Sequence, residues 1–568
     1  MTNREISKMF KLTASLMELH EENTFKIKAY NDAVFAIDKI SLDLSDLSIP
    51  ELEKIGGFGK SIVSKIEEIN TTGTFSDLDN LISNTPHGVV KMLGIKGIGP
   101  KKVRIIWKEA GIEGVEKLYE ACENDKICQL KGFGEKTQQT ILENIVFLLE
   151  QEGSLFYADV EPVAKLIDQC FSTSGFKFSL SGETRRLLET VEKVQFLVAE
   201  NSLKKVFEFI DKIPELEKSN KESSPFSWRG KALPSGIKVE IKVCKPEEFG
   251  SKLIIDSSSP QHLEHVVNEN ESLYKHFRKN KFEDEERAYS SIGFPVILPE
   301  LREGILEFDE KNKAIISNPK ALIQYSDLKG TLHNHTTYSD GEHTLLQMAE
   351  KCISLGLEYF GVADHSKSAQ YAGGMYEDVV LKQQLEIEDL NIKLAPFKII
   401  KGIESDILSD GSLDYDNEIL KTFDYVVASI HSGFKMDESK ATQRLIKAVE
   451  NQYTTILGHP TGRLLLRRPG YKIDHKKVID ACVDNGVYIE LNANPYRLDI
   501  DWRWIPYALE KGAMLSINPD AHDMDQIYNM YFGVCVARKG GVTKNNCLNS
   551  FGLKEVEKLF IKTKQPVI

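Results

Sequence analysis

The sequence feature that most constrains the fold is a series of short apolar runs, between residues 327 and 568, that each end in His, Asp or Glu. The first run leads into TLHNHTTYSDG, residues 331–341, where two histidines stand two positions apart and an aspartate follows. Side chains at i and i+2 of an extended chain point to the same side, so both imidazoles can reach one point. Across the series, the residues at the run ends are His333, His335, Asp340, His365, Glu404, His431, His459, Asp520 and His522.

Most stretches between these runs have the apolar spacing of a helix, as in TLLQMAEKCISLG, residues 344–356. Strands that alternate with helices predict βα units and a parallel sheet. Seven strand-like runs are present when GVYIELNAN, residues 486–494, is included. This number predicts a closed or nearly closed barrel, and in such barrels function lies at the carboxyl ends of the strands, where these side chains fall.

The residue types at the run ends indicate a metal centre. A single His at a strand end is more often structural, but nine such residues at one end of the predicted strands favour a shared site. Six are His, two are Asp, one is Glu and none is Cys, a set that suits Zn, Mn or Fe. Nine ligands exceed what one ion takes, so we expect two or three divalent ions. Clustered ions of this kind fit the hydrolysis of phosphate esters.

The motifs HNHTTYSDG, ADHS, GIESD, SIHSG, GHPTGR and NPDAH resemble the motif set of the PHP superfamily (polymerase and histidinol phosphatase). The resemblance covers residues 327–568 and fills all nine ligand positions. It implies a distorted seven-stranded βα barrel with a trinuclear metal site that hydrolyses phosphomonoesters or phosphodiesters. By the same resemblance, Glu404 is expected to bridge ions and to be catalytic.

A substrate phosphate also needs cationic partners, and guanidinium groups suit bidentate contacts with it. Arg463 follows His459 by four residues and is predicted to bind the phosphate; simple surface arginines are the open alternative. Arg467, Arg468 and Arg497 are further candidates, and Lys367 and Tyr371 are weaker ones.

Three related units in residues 1–150 each place a Gly-apolar-Gly turn at the start of a helix. Such a turn lets a phosphate approach the free amides at the helix N-terminus. Three copies resemble helix-hairpin-helix motifs, which bind the sugar-phosphate backbone without reading sequence; a purely structural helical domain is the alternative. The residues predicted to bind DNA are Gly57, Gly59, Lys60, Gly97, Gly99, Lys101, Lys102, Gly132 and Gly134.

Bulk properties bound the function further. A chain of 568 residues predicts several domains. The formal net charge is −13, and residues 1–150 carry 19 Lys and Arg against 23 Asp and Glu, so nucleic-acid binding would depend on backbone amides and a few lysines. Eight scattered Cys, no run of 18 apolar residues and no apolar signal core predict a cytoplasmic protein without a membrane span.

The order of a helical region, further hairpins and then SGETRRLLETVEKVQFLVAE, residues 181–200, resembles the lyase, fingers, palm and thumb of family X DNA polymerases. With a PHP region after them, the order is that of the bacterial PolX proteins. The resemblance implies an all-α region at 1–150, an α+β palm and thumb at 151–317, and an α/β PHP region at 327–568. It also aligns Lys65 with the lysine that forms a Schiff base with an abasic sugar. Because a neutral amine is needed for that step, an ordinary solvated lysine is the alternative.

The palm-like segment departs from the family at its catalytic centre. The family places Gly-Asp-x-Asp on this strand, whereas Lys193 and Gln195 stand at the two Asp positions, and Glu240 stands at the third carboxylate position. Two-metal nucleotidyl transfer needs anionic oxygen ligands, and an ammonium group repels the ion. We therefore expect a palm that is silent for polymerisation.

The function expected from the sequence is a metal-dependent DNA-end-processing hydrolase that acts in DNA repair. It would be a 3′–5′ exonuclease or 3′-phosphoesterase, with abasic-site endonuclease activity as a further option, on gapped, nicked or 3′-ended DNA without sequence preference, and it would act as a monomer. An active family X repair polymerase with a PHP exonuclease is one alternative. A small-molecule phosphatase of the histidinol-phosphatase type is another, although DNA-binding hairpins would have no use in it.

Overall fold

The computed structural model describes residues 3–37, 39–40, 42–268 and 271–563, and the chain divides into two compact units, Met1–Glu152 and Gly153–Ile568. The first unit is helical, as predicted, and its core includes Phe10, Tyr30 and Phe75, with ring centroids 5.4 Å (Phe10 to Tyr30) and 5.5 Å (Phe10 to Phe75) apart. Its helices are α1 (Asn3–Leu19), α2 (Thr24–Ile37), α3 (Ile49–Leu52), α4 (Lys60–Thr72), α5 (Ser76–Ser83), α6 (His87–Met92), α7 (Pro100–Lys108), α8 (Val115–Glu123) and α9 (Glu135–Glu150).

The three Gly-apolar-Gly turns of the first unit have one local structure. They occupy residues 57–59 before α4, 97–99 before α7 and 132–134 before α9. In each, the first glycine has a φ between +87° and +96°, a conformation that only glycine adopts without steric cost. The middle residue of each turn is buried and both glycines are exposed. The buried middle residue fixes the turn, and the exposed glycines leave the helix N-terminus open.

The second unit begins with a middle region (residues 153–317) built on a mixed sheet of five strands in the order β2-β4-β7-β6-β5. Strands β4 and β7 are parallel, and the other pairs are antiparallel. Phe171, Phe196 and Trp228 are fully buried in its core. The elements are β1 (Leu155–Phe156), α10 (Tyr157–Ser172), β2 (Lys177–Ser181), α11 (Gly182–Arg185), β3 (Thr190–Val191), β4 (Val194–Ala199), α12 (Leu203–Ile210), β5 (Leu216–Lys218), β6 (Ser227–Ala232), β7 (Lys238–Cys244), α13 (Phe249–Asp256), α14 (Pro260–Glu264), β8 (Val266–Asn268), β9 (Glu271–Ser272), α15 (Leu273–Lys279), α16 (Glu285–Ser290) and α17 (Lys313–Ser317).

The C-terminal region (residues 327–568) alternates short buried strands with helices, as the sequence predicts. Its strands form two all-parallel sheets, β10-β11-β12 and β13-β14-β15-β16-β17. The elements are β10 (Gly330–Thr331), α18 (Leu345–Ser354), β11 (Tyr359–Gly361), α19 (Glu377–Leu394), β12 (Lys398–Ile400), β13 (Gly402–Asp406), α20 (Asn417–Leu420), β14 (Tyr425–Ser429), α21 (Glu438–Val449), β15 (Ile456–Leu457), α22 (His475–Asp484), β16 (Tyr488–Asn492), α23 (Ile505–Glu510), β17 (Leu515–Asn518), α24 (Met530–Lys539) and α25 (Leu553–Thr563).

Two single bridges join these parallel sheets into a ring. His365, just after β11, bridges to Glu404 in β13, and Asn334, just after β10, bridges to Ala521, just after β17. Strands β12 and β13 are separated by one residue, Lys401, so they follow one another along the same line of chain. All seven resulting strand positions run in the same direction, and their carboxyl ends therefore meet at one end of the ring.

The middle and C-terminal regions pack against each other within the second unit. The Phe156 and Tyr496 rings meet edge to face at 4.7 Å, and the fully buried Lys539 ammonium is 2.7 Å from the Glu303 carboxylate. Across the described residues, no helix combines the length and the apolarity that a bilayer crossing requires.

Candidate metal centre

The nine residues predicted as metal ligands come together at the carboxyl end of the ring. Glu404, in β13, lies at the middle of the group and is almost fully buried. Imidazole nitrogens surround its two carboxylate oxygens: His365 and His459 at 3.0 Å, His431 at 3.1 Å, His333 at 3.3 Å and His335 at 3.7 Å. Five imidazoles directed at one buried carboxylate form a donor set of the kind that divalent ions share.

The ligand atoms form three overlapping groups, each small enough for one ion. Within each group the candidate atoms lie no more than 4.8 Å from one another. The groups are His335 with Asp340, His365 and His522; His333 with His335 and Asp520; and His365 with Glu404 and His431. His335 and His365 each belong to two groups, and because a neutral imidazole has one free electron pair, each would serve one ion at a time. The arrangement can therefore hold the two or three ions expected from the sequence.

Buried polar atoms without a hydrogen bond concentrate at this cluster. A buried polar atom normally finds a hydrogen-bond partner, so each exception calls for an explanation. Such atoms include His333 Nε2, His335 Nδ1, His365 Nδ1, Glu404 Oε2 and His459 Nδ1. Atoms that can donate an electron pair to a cation fit this observation, and the set fits divalent metal ions.

The pKa values in the cluster shift in both directions: His335 is held neutral and Glu404 ionised, whereas the neighbouring carboxylates outweigh burial and raise the pKa values of His333, His431 and His522. Burial, together with the neighbouring His522 and His365, lowers the pKa of His335 to about 3. Burial raises the pKa of Glu404, but the positive charges of His431 and His333 outweigh it and hold the carboxyl well below its ordinary range. Neutral imidazole and ionised carboxylate are the ligand forms of these groups.

Glu490, a fully buried residue in β16, is a supporting carboxylate that the sequence analysis missed. It lies 2.6 Å from His333 Nδ1 and accepts a hydrogen bond from the His459 backbone N–H at 2.7 Å. Such a partner fixes the orientation and tautomer of a ligand imidazole. A charged residue inside an otherwise apolar strand, YIELN, was the signal that could have identified it.

Two further carboxylates next to predicted ligands hold the site from outside. Asp406, at the end of β13, lies 2.5 Å from His431 Nδ1. Asp364 is fully buried and accepts hydrogen bonds from the Thr336 backbone N–H and hydroxyl, both at 2.7 Å, and from Ser339 Oγ at 2.5 Å. It thereby fixes the turn that carries Asp340.

Among the cationic candidates, Arg463 and Arg497 have different surroundings. The Arg463 guanidinium pairs with Asp501 at 2.6 Å and donates to the backbone carbonyls of Arg497 and Leu498. These contacts use it to hold a loop. Arg497 Nε lies 3.6 Å from Asp520 Oδ2, at the edge of the cluster. The sequence prediction favoured Arg463 for substrate, but the geometry favours Arg497.

Of the remaining residues predicted to contact substrate, three are held by contacts within the protein and one is exposed. Lys367 pairs with Glu377 at 2.6 Å, and Arg468 donates to the Gly462 carbonyl at 2.7 Å. The Arg467 guanidinium lies 5.5 Å from the Tyr496 ring centre. Tyr371 is 73% exposed, and its ring centroid lies 6.3 Å from that of His365. An exposed aromatic ring therefore stands at the mouth of the metal cluster.

In the first unit, the structure places the predicted DNA-binding glycines and Lys60 and Lys101 on the surface, whereas Lys102 is half-buried. Lys65 is also largely buried, and its ammonium pairs with the Asp77 carboxylate at 2.8 Å. The same carboxylate accepts a hydrogen bond from the Tyr30 hydroxyl at 2.9 Å. The role of Lys65 as a lyase nucleophile stays a prediction.

At the palm-like centre, side chains of the protein surround Glu240, which is buried. Lys193 Nζ lies 2.8 Å from one carboxylate oxygen and Gln195 Nε2 lies 2.9 Å from it, while Arg229 Nε lies 2.7 Å from the other. Burial raises the pKa of Glu240, but the hydrogen bonds from Lys193 and Arg229 bring it down to about 2. Cationic side chains and an amide thus fill the coordination space of the one carboxylate present.

The neighbouring residues that resemble a nucleotide-binding strand are also engaged. Arg185 makes a bidentate contact with Glu285, at 2.8 and 2.7 Å, and Arg186 pairs with Glu303 at 3.2 Å. The Gln195 side chain fills the space that a Cβ on Gly182 would need. These guanidinium groups are tied to carboxylates of the same unit.

Comparison with known proteins gives the class that this architecture defines. Residues 331–494 match the family model of the PHP domain. Residues 1–75 match that of a helix-hairpin-helix domain, and residues 89–145 match that of a SAM-like helix-hairpin-helix tandem. The chain is therefore a PHP-domain protein that carries helix-hairpin-helix modules, and the sequence predictions of both are confirmed.

A relative that spans the whole chain narrows the class. The DNA polymerase/3′-5′ exonuclease PolX of Bacillus subtilis (strain 168) is 33% identical over 98% of this chain and 99% of its own length. A probable phosphatase of Thermoanaerobacter sp. (strain X514) is 28% identical over 38% of this chain, and one of Clostridium acetobutylicum is 31% identical over 28% of it. The chain belongs to the PolX family.

Proposed function

We propose that this protein is a metal-dependent phosphodiesterase that removes nucleotides from the 3′ ends of DNA. The observation that carries the proposal is the cluster of nine predicted ligand residues, Glu404 and eight others, in a chain of which 98% matches a PolX relative. The hairpin modules support DNA as the substrate, because their exposed glycines open helix N-termini to backbone phosphates.

In this proposal we interpret the ring of parallel strands as a distorted seven-stranded barrel and the three ligand groups as a site for two or three ions of Mn, Zn or Fe. Such ions, when bound, stabilise the charge on the attacking and leaving oxygens of a phosphodiester. Glu404 holds the ligand imidazoles around one carboxylate and bridges neighbouring positions. Glu490 and Asp406 fix the orientation of His333 and His431, and Arg497 orients the scissile phosphate at the edge of the cluster.

We further propose that the middle region is a palm and thumb without polymerase activity. The contacts of Glu240 support this, because Lys193 and Gln195 stand at the two Asp positions of the family and, with Arg229, occupy the carboxylate oxygens that would bind Mg²⁺. The ion pairs of Arg185 and Arg186 also support it, since neither guanidinium is free for a triphosphate. The middle region would then hold DNA rather than extend it.

The test is an extension and degradation assay on one substrate. A 5′-labelled primer annealed over a one-nucleotide gap is incubated with Mn²⁺ and all four nucleotides. We expect the wild type to shorten the primer, and His333→Ala/His335→Ala to leave it unchanged because two imidazoles of the metal groups are lost.

Each other result has a definite meaning. Extension by the double variant would identify a working polymerase and overturn the silent palm. Failure of the wild type to shorten the primer, together with hydrolysis of a small phosphomonoester, would overturn the nuclease and favour the phosphatase function of the partial relatives. Equal shortening by wild type and variant would place the nuclease elsewhere.

A further inference from the structure

The middle region contacts the C-terminal region beside the metal centre, along a segment that follows β16. This segment, which we name the rim loop (residues 493–501), carries Arg497. Its first residue is held by β17, since the Ala493 N–H donates to the Asn518 carbonyl at 2.6 Å. The rim loop therefore lies between the metal ligands on one side and the middle region on the other.

A chain of ion pairs crosses this contact. Glu189, in the middle region, is buried and accepts hydrogen bonds from Trp502 Nε1 at 3.0 Å and Arg503 Nη1 at 2.9 Å. Arg503 Nη1 also lies 3.0 Å from Asp501 Oδ1. The second oxygen of Asp501 is 2.6 Å from Arg463 Nη1. One buried carboxylate of the middle region thus joins a connected network with two arginines and an aspartate, in which Glu189 is buried and Arg503 is partly exposed, and connected networks of this kind hold their members in one geometry.

Arg463 connects this network to the backbone of the rim loop by two hydrogen bonds. Its Nε donates to the Arg497 carbonyl at 2.9 Å, and its Nη2 donates to the Leu498 carbonyl. These two bonds fix the peptide groups on either side of Leu498, the first of which directly follows Arg497. The Arg497 side chain then stands with Nε 3.6 Å from Asp520 Oδ2, at the edge of the group of predicted ligands.

Packing and a second carboxylate hold the other parts of the loop. The Phe156 ring of the middle region meets the Tyr496 ring edge to face at 4.7 Å, next to Arg497. Asp499 accepts hydrogen bonds from the Thr461 backbone N–H and hydroxyl, both at 2.9 Å, two residues after the ligand His459. The loop is therefore tied both to the middle region and to the turn that carries a ligand.

We propose that the middle region completes the nuclease site, with Glu189 as a positioning residue that holds the rim loop so that Arg497 faces the metal cluster. This inference rests on the proposed function for its consequence in catalysis, but its structural part stands without it. It gives the palm-like fold a role that needs none of the carboxylates of a polymerase.

The first test measures amide hydrogen exchange by mass spectrometry on the full chain. In Glu189→Gln we expect peptides covering residues 493–501 to exchange at least about tenfold faster, because the network no longer fixes the loop. Peptides covering 402–406 should stay unchanged, as should every peptide of the control Glu192→Gln, which alters an exposed carboxylate of the same region. Arg503→Gln breaks the same link from the other side and should reproduce the effect.

The second test is a double-variant cycle on the release of 3′-terminal nucleotides. We expect Glu189→Gln to lower kcat/KM roughly 10- to 100-fold, the scale of a misplaced substrate contact. Arg497→Ala should lower it as well, and the double variant should fall no further than Arg497→Ala alone, because both changes remove one function.

The outcomes separate the two proposals. Unchanged exchange of residues 493–501 in both Glu189→Gln and Arg503→Gln would overturn the positioning role, as would independent, multiplicative losses in the cycle. A wild type without nuclease activity would overturn the proposed function alone, and the exchange experiment would still decide whether the middle region holds the loop.

Discussion

At the scale of single residues, Glu490 is a side chain that supports two of the predicted metal ligands. Its carboxylate contacts the His333 ring and the His459 backbone. Replacement by Gln keeps the shape but removes the charge, so we expect a 10- to 100-fold loss of metal affinity, roughly the cost of losing an outer partner of a ligand. Titration with Mn²⁺ or Zn²⁺ against a competing chelator measures this affinity. Unchanged affinity in Glu490→Gln would mean that the two ligands are oriented by other contacts.

Tyr371 offers an exposed ring at the mouth of the site, where the terminal base of a DNA 3′ end would lie. Base stacking on an aromatic side chain contributes about 1–3 kcal/mol per base, so we expect Tyr371→Ala to raise KM for an oligonucleotide roughly tenfold. Tyr371→Phe should resemble the wild type, because stacking needs the ring and not the hydroxyl. Tyr376→Ala, at another exposed tyrosine of the same segment, is the matched control. A loss with Phe equal to that with Ala would exclude stacking.

Residue identity alone predicted the side chains that the structure brings together around Glu404, but not the residues that support them. The nine ligand residues are recognisable because each follows an apolar run. Glu490 and Arg463 are not recognisable in this way, because the role of a charged residue that supports a site depends on which distant residues the fold places next to it. Arg463 and Arg497 look equally suited to a phosphate in the sequence, and only the carbonyls of residues 497 and 498 distinguish them.

At the scale of elements, each hairpin turn combines a first glycine at positive φ with a second glycine that is exposed. Gly57 has a φ of +96°, and a Cβ there would lie 3.3 Å from the Asp32 carbonyl and the Ala36 Cβ. We expect Gly57→Ala to destabilise the first unit by about 1–2 kcal/mol.

Gly59 has a φ of −79° and open space around it. Gly59→Ala should keep the melting temperature and weaken DNA binding, because its methyl group meets an approaching phosphate. Fluorescence anisotropy with gapped DNA and thermal unfolding measure the two effects, and equal melting losses in both variants would contradict this reading.

The pair of strands β4 and β7 carries a pH-dependent contribution through Glu240. Its pKa is about 2 in the folded protein and 4.5 ordinarily. A depressed carboxyl stabilises the fold above pH 4.5, and this contribution is lost as pH falls toward 2, by up to about 3 kcal/mol. We expect Glu240→Gln to lower stability at pH 7, and the difference from the wild type to narrow at pH 3.5. Urea unfolding at both pH values measures it. A difference that widens at low pH would reverse the sign and refute the ion-pair account.

Helices and strands could be predicted from the sequence wherever the spacing of apolar residues and the turn residues at its ends indicated the same boundaries. The Gly-apolar-Gly turns and the strand ends were predicted because glycine at positive φ and alternating apolar runs are local signals. The single bridges that join the parallel sheets were beyond reach, since they depend on where Asn334 and Ala521 meet in space, 187 positions apart by number.

At the scale of the whole molecule, the two compact units should respond differently to metal removal. The nine ligand residues all belong to the second unit, so a chelator should lower its melting temperature and leave that of the first unit unchanged. Ions present at 1,000 times their dissociation constant contribute about 4 kcal/mol, so we expect a shift of at least about 5 °C. Differential scanning calorimetry with and without EDTA measures both transitions. A shift of both units, or of neither, would contradict the assignment.

The overall order of regions was predicted by resemblance to the PolX family, and the full-length relative confirms that membership. The resemblance did not predict the interface between the middle region and the rim loop. That interface depends on Glu189, Trp502 and Arg503, and no local pattern marks these residues as neighbours across more than 300 positions.

The bridges that close the ring fall at His365 with Glu404 and at Asn334 with Ala521, beside or within the predicted ligands. A parallel ladder normally has several consecutive backbone bonds, and three register pairs between β11 and β12 supply them next to the His365–Glu404 bridge, whereas among the described residues one bridge joins β10 to β17. Ions bound there would contact side chains from the strands on both sides of these bridges and would hold the strands together. Ion binding would then stabilise the ring itself, so that metal supply, and not chain folding alone, would set the stability of the second unit.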